Sequence, residues 1–596
     1  MPSGRFPTAI AAMMLAVIVS AGSAGSSAAT VDPAAPAMGA TRAAEATFLE
    51  LYTQEWQQRM AARLGGGEGI PAHLPDVSKN AQDQRLAEWL RVRRALVGID
   101  PQDLARKRRV DYAVYAAQID ELIASQEYRE YEAPLNSSGG FWSSLAYVAQ
   151  RPFHIEEDYN NYLSLLSEVP RYFQQQQENM RSGLGRGFTP AKVTLDGRDL
   201  TISRIADATN PTEVMFYAPF EILPVAMSET TKTALRAKAQ RVIAETVIPA
   251  YAGLLAFFRN EYYPGAREVL AASKLPNGKA YYAWKVRQYT TLDQTPDEVH
   301  EIGLREVARI RAQMMQVKED AGFAGTLRDF LSFLRSDAQF YAETPLDYLK
   351  EAAWDAKQFD GVAADYFGHL PRTRFTITAF PPEIAPFSAG AAGGRETYWL
   401  NTYKLHTRPL YSLMALTLHE SAPGHSFQAS IAAENETQPD FRREVYISAF
   451  GEGWALYCEK LGIEMGLYET PYDMFGMLSY RMWRAARLVV DTGIHAKGWS
   501  RERALEYLED NTAIGEHEIS TEVDRYITNP GQAVSYYTGT LAIDEARARA
   551  EAALGENFDI RNFHDTILAQ GSVPLGVLQN RIDQFIAEGG PPPYDE

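Results

Sequence analysis

The sequence predicts a mainly α fold, a large two-lobed helical body with a central cleft and a few short strands. Three observations carry that expectation. Apolar residues recur at helical spacing in one stretch after another. Runs of β-branched and aromatic residues bounded by chain breakers are few. No Pro/Gly/Ser-rich linker interrupts the chain after Gly39, so one continuous body is expected rather than a string of domains.

Taken from the N-terminus, Arg5 precedes an apolar run from Ala9 to Val19 and then small residues from Ser20 to Ala29, the pattern of a secretory signal peptide. That run is too short to span a bilayer comfortably, and cleavage is expected after Ala24 or Ala29. No Cys follows it closely, so a lipid anchor is not expected. Residues 30–43 are Ala/Pro-rich and read as flexible, and 44–596 read as the helical body, with lobes 44–290 and 291–596. Helical periodicity marks 44–64, 81–97, 104–125, 156–181 and 230–260. Thr295, Pro296 and Glu298 then supply an N-cap, a first-turn proline and a capping-box acid, before Val299, Ile302, Val307 and Ile310 mark an apolar face.

The strand-like runs are 374–380 and 396–402, with 192–195 a further one. Between the first two lies a Pro- and Gly-rich loop, 381–394, read as a mobile cover over the cleft. Tyr398 and Asn401 are candidates for holding a substrate backbone, weighed against the plainer reading of a structural hairpin.

Next comes His419-Glu420-Ser421-Ala422-Pro423-Gly424-His425. Two imidazoles and an adjoining carboxylate are the residue types of a hydrolytic zinc site, in which the protein supplies three ligands and a carboxylate takes a proton from water. The common form, His-Glu-x-x-His, sets its histidines four apart on one helix face. Here they are six apart, which rotates the second side chain by about 240° on an unbroken helix. Pro423 lacks an N–H for the His419 carbonyl and Gly424 tolerates unusual dihedrals, so a break at 421–424 is expected to return both rings to one ion.

The third ligand is expected from the apolar segment around Trp454, Leu456, Tyr457 and Leu461, where Glu452 and Glu459 are costly to bury unless paired or metal-bound. Seven residues apart they face the same way to within roughly 20°. Glu452 is assigned as ligand and Glu459 as the carboxylate that orients an imidazole. Farther on, Arg487, Asp491 and His495 fall at i, i+4 and i+8 of an otherwise apolar helix. His495 reads as a transition-state donor or alternative ligand with Asp491 behind it, against a pair that braces buried helices. Arg525, Tyr526, Tyr536 and Tyr537 flank the turn Asn529-Pro530-Gly531. Tyr536 is the first choice of oxyanion donor and Tyr526 the second, while Arg487 or Arg525 suits a substrate carboxylate.

The runs HESAPGHSFQ, EGWALYCEKLG, RLVVDTGIHAKGWSRERA and EVDRYITNPGQAVSYYTG, with LPNGKAYYAWKVRQYTT and TPDEVHEIGLREVARI upstream, resemble the bacterial DUF885 family over most of the chain. The resemblance implies a helical zinc peptidase of the kind that includes oligopeptidases and carboxypeptidases. In that reading His419 and Glu420 match the first ligand and general base, and Glu452 the distant acid. The position of His425 departs from the usual spacing.

The formal charge of −18 argues against nucleic acid or an anionic membrane surface as partner. The basic run 106–109 reads as a solvated helix face. With a single Cys there is no internal disulfide, and Cys458, inside an apolar helix, is expected to be buried and inert. The expectation is therefore an exported, periplasmic hydrolase holding one zinc ion per chain and cutting short peptides. Two alternatives remain: an amidase or esterase for a non-peptide metabolite, and a non-catalytic helical binding protein with a degenerate site.

Overall fold

The computed structural model describes residues 34–64, 69–137, 139–382, 385–387 and 389–594. The expected signal peptide, 1–29, lies outside the described residues. The first helix, Ala34–Ala61, already covers part of the stretch read as flexible. Its alanines favour helix, and Pro36 falls in the first turn, where a missing N–H costs nothing.

The fold is mainly α. Helices Lys79–Val97, Arg106–Tyr128, Glu156–Ser167 and Val169–Arg186 form where the apolar periodicity places them. Thr295 caps the helix Pro296–Asp320 as its sequence predicts, accepting from Glu298 N while the Glu298 carboxylate accepts from Thr295 N. The run 192–195 departs from expectation. It is a 3-10 turn, Lys192–Thr194, because the Asp196-Gly197 turn that follows leaves it no room to extend. The long apolar helix Glu229–Gly265 passes through two π-helical segments, Ile243–Val247 and Phe258–Tyr262. Pro249 and Pro264, just beyond each, remove N–H donors from the ladder, which widens to accommodate them. Leu235, Ile243, Val247, Tyr251, Leu254 and Phe258 of this helix are buried in a core drawn from 64–266.

Two further cores join distant parts of the chain. Phe48, Val114 and Ile119 share one with Trp454, Ile543 and Phe585, so segments on both sides of residue 290 pack together. The other is built on the helix Pro471–His495, whose residues are buried almost without interruption from Phe475 onward. It crosses Pro296–Asp320 at Gly303, where a Cβ would meet Leu488 Cβ at 2.7 Å.

Both expected strands form, as Thr376–Ala379 and Thr397–Leu400, but they are parallel rather than a hairpin. Parallel strands need a crossover connection. Here it contains a third strand, Ala391–Gly393, antiparallel to Thr397–Leu400 and at the edge of the sheet. Its Ala-Ala-Gly sequence carries no strand signal.

Candidate metal centre

The helix Leu413–Glu420 stops one residue after His419, and a second helix, His425–Glu434, starts at the other histidine. The break falls at 421–424, as Pro423 and Gly424 predict, and the Ala422-Pro423 peptide is cis. Gly424 is required there, since a Cβ would sit 1.9 Å from His419 O and 2.5 Å from Leu418 O. Trp454 Nε1 donates to Pro423 O at 2.8 Å, fixing the turn to the Glu452 helix, Ser448–Glu464. Ser421 Oγ closes the preceding helix on Thr417 O at 2.6 Å, and Ser426 Oγ donates back to Glu420 O at 3.0 Å.

This turn brings the two imidazoles together, ring centroids 4.9 Å apart and planes at 88°. Glu452 Oε2 lies 3.3 Å from His425 Nε2 and 3.6 Å from His419 Nε2. All three donor atoms lie within 4.8 Å of one another. Ligand atoms about 2.1 Å from a tetrahedral zinc ion stand about 3.4 Å from each other, so the donor set fits such an ion in type and spacing. Glu459 Oε1 lies 2.7 Å from His419 Nδ1, which directs Nε2 at the other donors. Burial opposes charge on both partners. The imidazoles nevertheless hold the Glu452 carboxyl well below the usual range, and Glu452 and Glu459 raise His419 to about 9.

Two residues that the sequence does not single out complete the centre. Tyr446 donates its hydroxyl to Glu452 Oε1 at 2.8 Å, leaving Oε2 toward the histidines. Gly393, on the edge strand, donates its N–H to Glu420 Oε2 at 2.6 Å. A Cβ on Gly393 would overlap Glu420 O at 2.0 Å, so only glycine lets the strand lie this close to the motif. Neither contact has a sequence signal, because each depends on a loop or strand distant from the motif.

Tyr536 is brought to the same place by two glycines. The Glu452 helix packs on Ser535–Leu554 with Gly453 against Gly539, where a Cβ at Gly539 would lie 1.9 Å from Ala449 O. Tyr536 remains partly exposed. Burial and the nearby Glu452 charge raise its hydroxyl pKa. The Arg487 guanidinium lies 4.3 Å from its ring centroid.

Other candidates have different partners. His495 does not join His419, His425 and Glu452: its Nδ1 accepts from Ala272 N at 3.0 Å, its Nε2 donates to Tyr526 O at 2.9 Å, and burial lowers its pKa to about 3. Asp491 does not support it, and accepts instead from Tyr282 OH at 2.6 Å and Gly531 N at 3.0 Å. Tyr526 is fully buried, its hydroxyl accepting from Trp483 Nε1 at 3.0 Å and Arg487 Nε at 2.9 Å. Tyr398 is likewise fully buried, with Thr417 Oγ1 at 3.2 Å. Asn401 Nδ2 donates to Ala385 O at 2.8 Å and Ala389 O at 3.0 Å, which ties down part of the loop expected to be a mobile cover. Arg525 grips Glu522 with two nitrogens, at 3.0 and 2.7 Å. Arg487 Nη2 reaches the same carboxylate at 2.9 Å. Cys458 is buried, and burial pushes its thiol pKa up.

The chain is similar to the crystal structure of the "putative lipoprotein" from Colwellia psychrerythraea, with 25% identity and a TM-score of 0.81 over 94% of this chain and 100% of that one. A structure of a "putative lipoprotein of unknown function" from Shewanella oneidensis shares the fold at 16% identity and a TM-score of 0.65, over 91% of this chain and 98% of that one. No curated protein matches the sequence. The profile of DUF885, described as a bacterial protein of unknown function, matches residues 59–582. The chain therefore belongs to the DUF885 family.

Proposed function

We propose that the protein is an exported zinc-dependent hydrolase that cuts amide bonds in short peptides. The observation that carries this reading is the convergence of His419, His425 and Glu452 across a broken helix, with Glu420 beside them. When bound there, a zinc ion supplies a Lewis acid for the substrate carbonyl and lowers the pKa of water.

The chain's own groups divide the remaining work. Glu420 takes the proton of the attacking water, its carboxylate held in orientation by Gly393 N. Tyr536, partly exposed beside Glu452, donates its O–H to the oxygen that gains charge as the carbonyl becomes tetrahedral. Glu459 and Tyr446 orient His419 and Glu452 through their hydrogen bonds.

The signal-like N-terminus supports export to the periplasm, and the description of both solved relatives as "putative lipoprotein" supports export in general. Screening a library of short peptides with the zinc-loaded protein and its Glu420→Gln variant tests the reading. The expected result is turnover that the variant loses while keeping its metal. Full turnover by the metal-loaded variant contradicts the general-base role, whereas cleavage of small amides or esters but no peptides points to a non-peptide metabolite as substrate. Metal binding without any turnover favours the binding-protein alternative.

A further inference from the structure

Arg484 and Arg487 lie three residues apart on the helix Pro471–His495, with only 4% and 3% of their surface exposed. A buried guanidinium is costly unless its charge and its N–H groups are met. Arg487 is partly met, by Tyr526 OH and Glu522. Its Nη1 has no hydrogen-bond partner among the described residues. Arg484 is met less well. Its Nε and Nη1 are both without a partner among the described residues, and the nearest carboxylate contact, Glu459 Oε1, is 3.9 Å from Nη2 and already engaged by His419.

Local charge points the same way. Four guanidiniums, those of Arg408, Arg484, Arg487 and Arg525, stand against three carboxylates, Glu518, Glu522 and the Glu459 behind His419. Glu522 is shared by Arg487 and Arg525, and Glu518 lies 3.5 Å from Arg408. The surplus is positive. Aromatic faces wall the pair in: Trp483 lies under both, 4.4 Å from Arg484 and 4.3 Å from Arg487, with Tyr480 4.7 Å from Arg484 and Tyr536 4.3 Å from Arg487. Aromatic rings hold the guanidinium planes but accept few of their N–H bonds.

The geometry points to an anion-binding subsite at Arg484 and Arg487, taking one singly charged group, either a free halide or the carboxylate of a substrate. The subsite adjoins the metal centre on two sides, through Glu459 behind His419 and through Tyr536 beside Glu452. If the anion is a substrate carboxylate, the substrate class narrows to peptides with a free C-terminus or an acidic side chain near the cut bond. That part rests on the hydrolase reading, whereas the halide arm does not.

The test uses the full-length mature protein loaded with zinc, with metal content measured on the same sample. One arm titrates sodium bromide against sodium gluconate at constant ionic strength and follows the unfolding temperature. A second arm titrates Ala-Ala against Ala-Ala-amide in the Glu420→Gln variant, so that the peptide is not consumed. A third locates bromide in crystals by its anomalous scattering, and needs no arginine variant to fold. Saturable stabilisation by bromide, with a peak at the two arginines, identifies a halide site. Stabilisation by Ala-Ala but not its amide identifies the carboxylate of a substrate. In either case Arg484→Met and Arg487→Met are expected to weaken binding about tenfold or more. No saturable effect in either titration and no bromide peak overturn the subsite. Absence of zinc from the sample overturns the hydrolase reading and leaves the bromide result standing.

Discussion

His425 Nε2 lies 3.3 Å from Glu452 Oε2, although an unbroken helix through His419 would point the His425 ring well away. The contact exists because Gly424 lets the chain pass within reach of the His419 carbonyl and Trp454 holds the Pro423 carbonyl from the side of the Glu452 helix. The centre is therefore a property of the turn as much as of its ligands.

The first consequence concerns Glu459. Because Glu459 Oε1 fixes His419 through Nδ1 at 2.7 Å, Glu459→Ala is expected to weaken zinc binding about 10–100-fold while leaving all three ligands in the chain. Competition with a chromophoric chelator measures this, and unchanged affinity would show that the turn alone orients the ring.

In the proposed mechanism Tyr536 acts only once charge develops on the substrate oxygen. Tyr536→Phe is expected to lower kcat about 10²–10³-fold with KM and metal content little changed. A rise in KM with kcat retained would make it a binding residue instead.

The contact of Gly453 with Gly539 sets the distance between the helices that carry Glu452 and Tyr536. Gly539→Ala places a methyl group against Ala449 O and is expected to destabilise the protein by about 1–3 kcal/mol. The denaturant midpoint reports it. A midpoint equal to that of the wild type would mean the helices separate freely.

Asp355 is 5% exposed, its Oδ2 has no partner among the described residues, and burial together with Glu351 pushes its pKa up to about 8. The folded state thus holds this proton more tightly than the unfolded chain. The stability it contributes is full below about pH 4 and is lost as pH rises through about 8. Asp355→Asn, which imitates the protonated form, is expected to exceed the wild type in unfolding midpoint at pH 9 and to lose that advantage toward pH 4. A difference independent of pH would refute the assignment.

Much of this was legible in the sequence, for identifiable reasons. Helical periodicity and the Thr295 capping box are local, so Pro296–Asp320 starts where it is expected. The convergence of His419, His425 and Glu452 was legible because His, Glu, Pro and Gly each constrain the chemistry or the backbone by themselves. In the stripe Arg487, Asp491, His495 the last two misled, because a buried polar side chain is satisfied as well by neighbouring groups of the core as by a site. For His495 those groups come from Ala272 and Tyr526, which periodicity does not bring together. The strand Ala391–Gly393 was hidden because its glycine answers to closeness to Glu420 and not to strand propensity. Tyr446 and Arg484 stayed invisible because their meaning lies in contacts with Glu452 and Glu459.

The most direct test of the account is the zinc content of the purified mature protein and of its His425→Ala variant. About one zinc ion per chain is expected in the wild type, with most of it lost in the variant. Zinc retained in the variant, or absent from both proteins, would contradict that expectation.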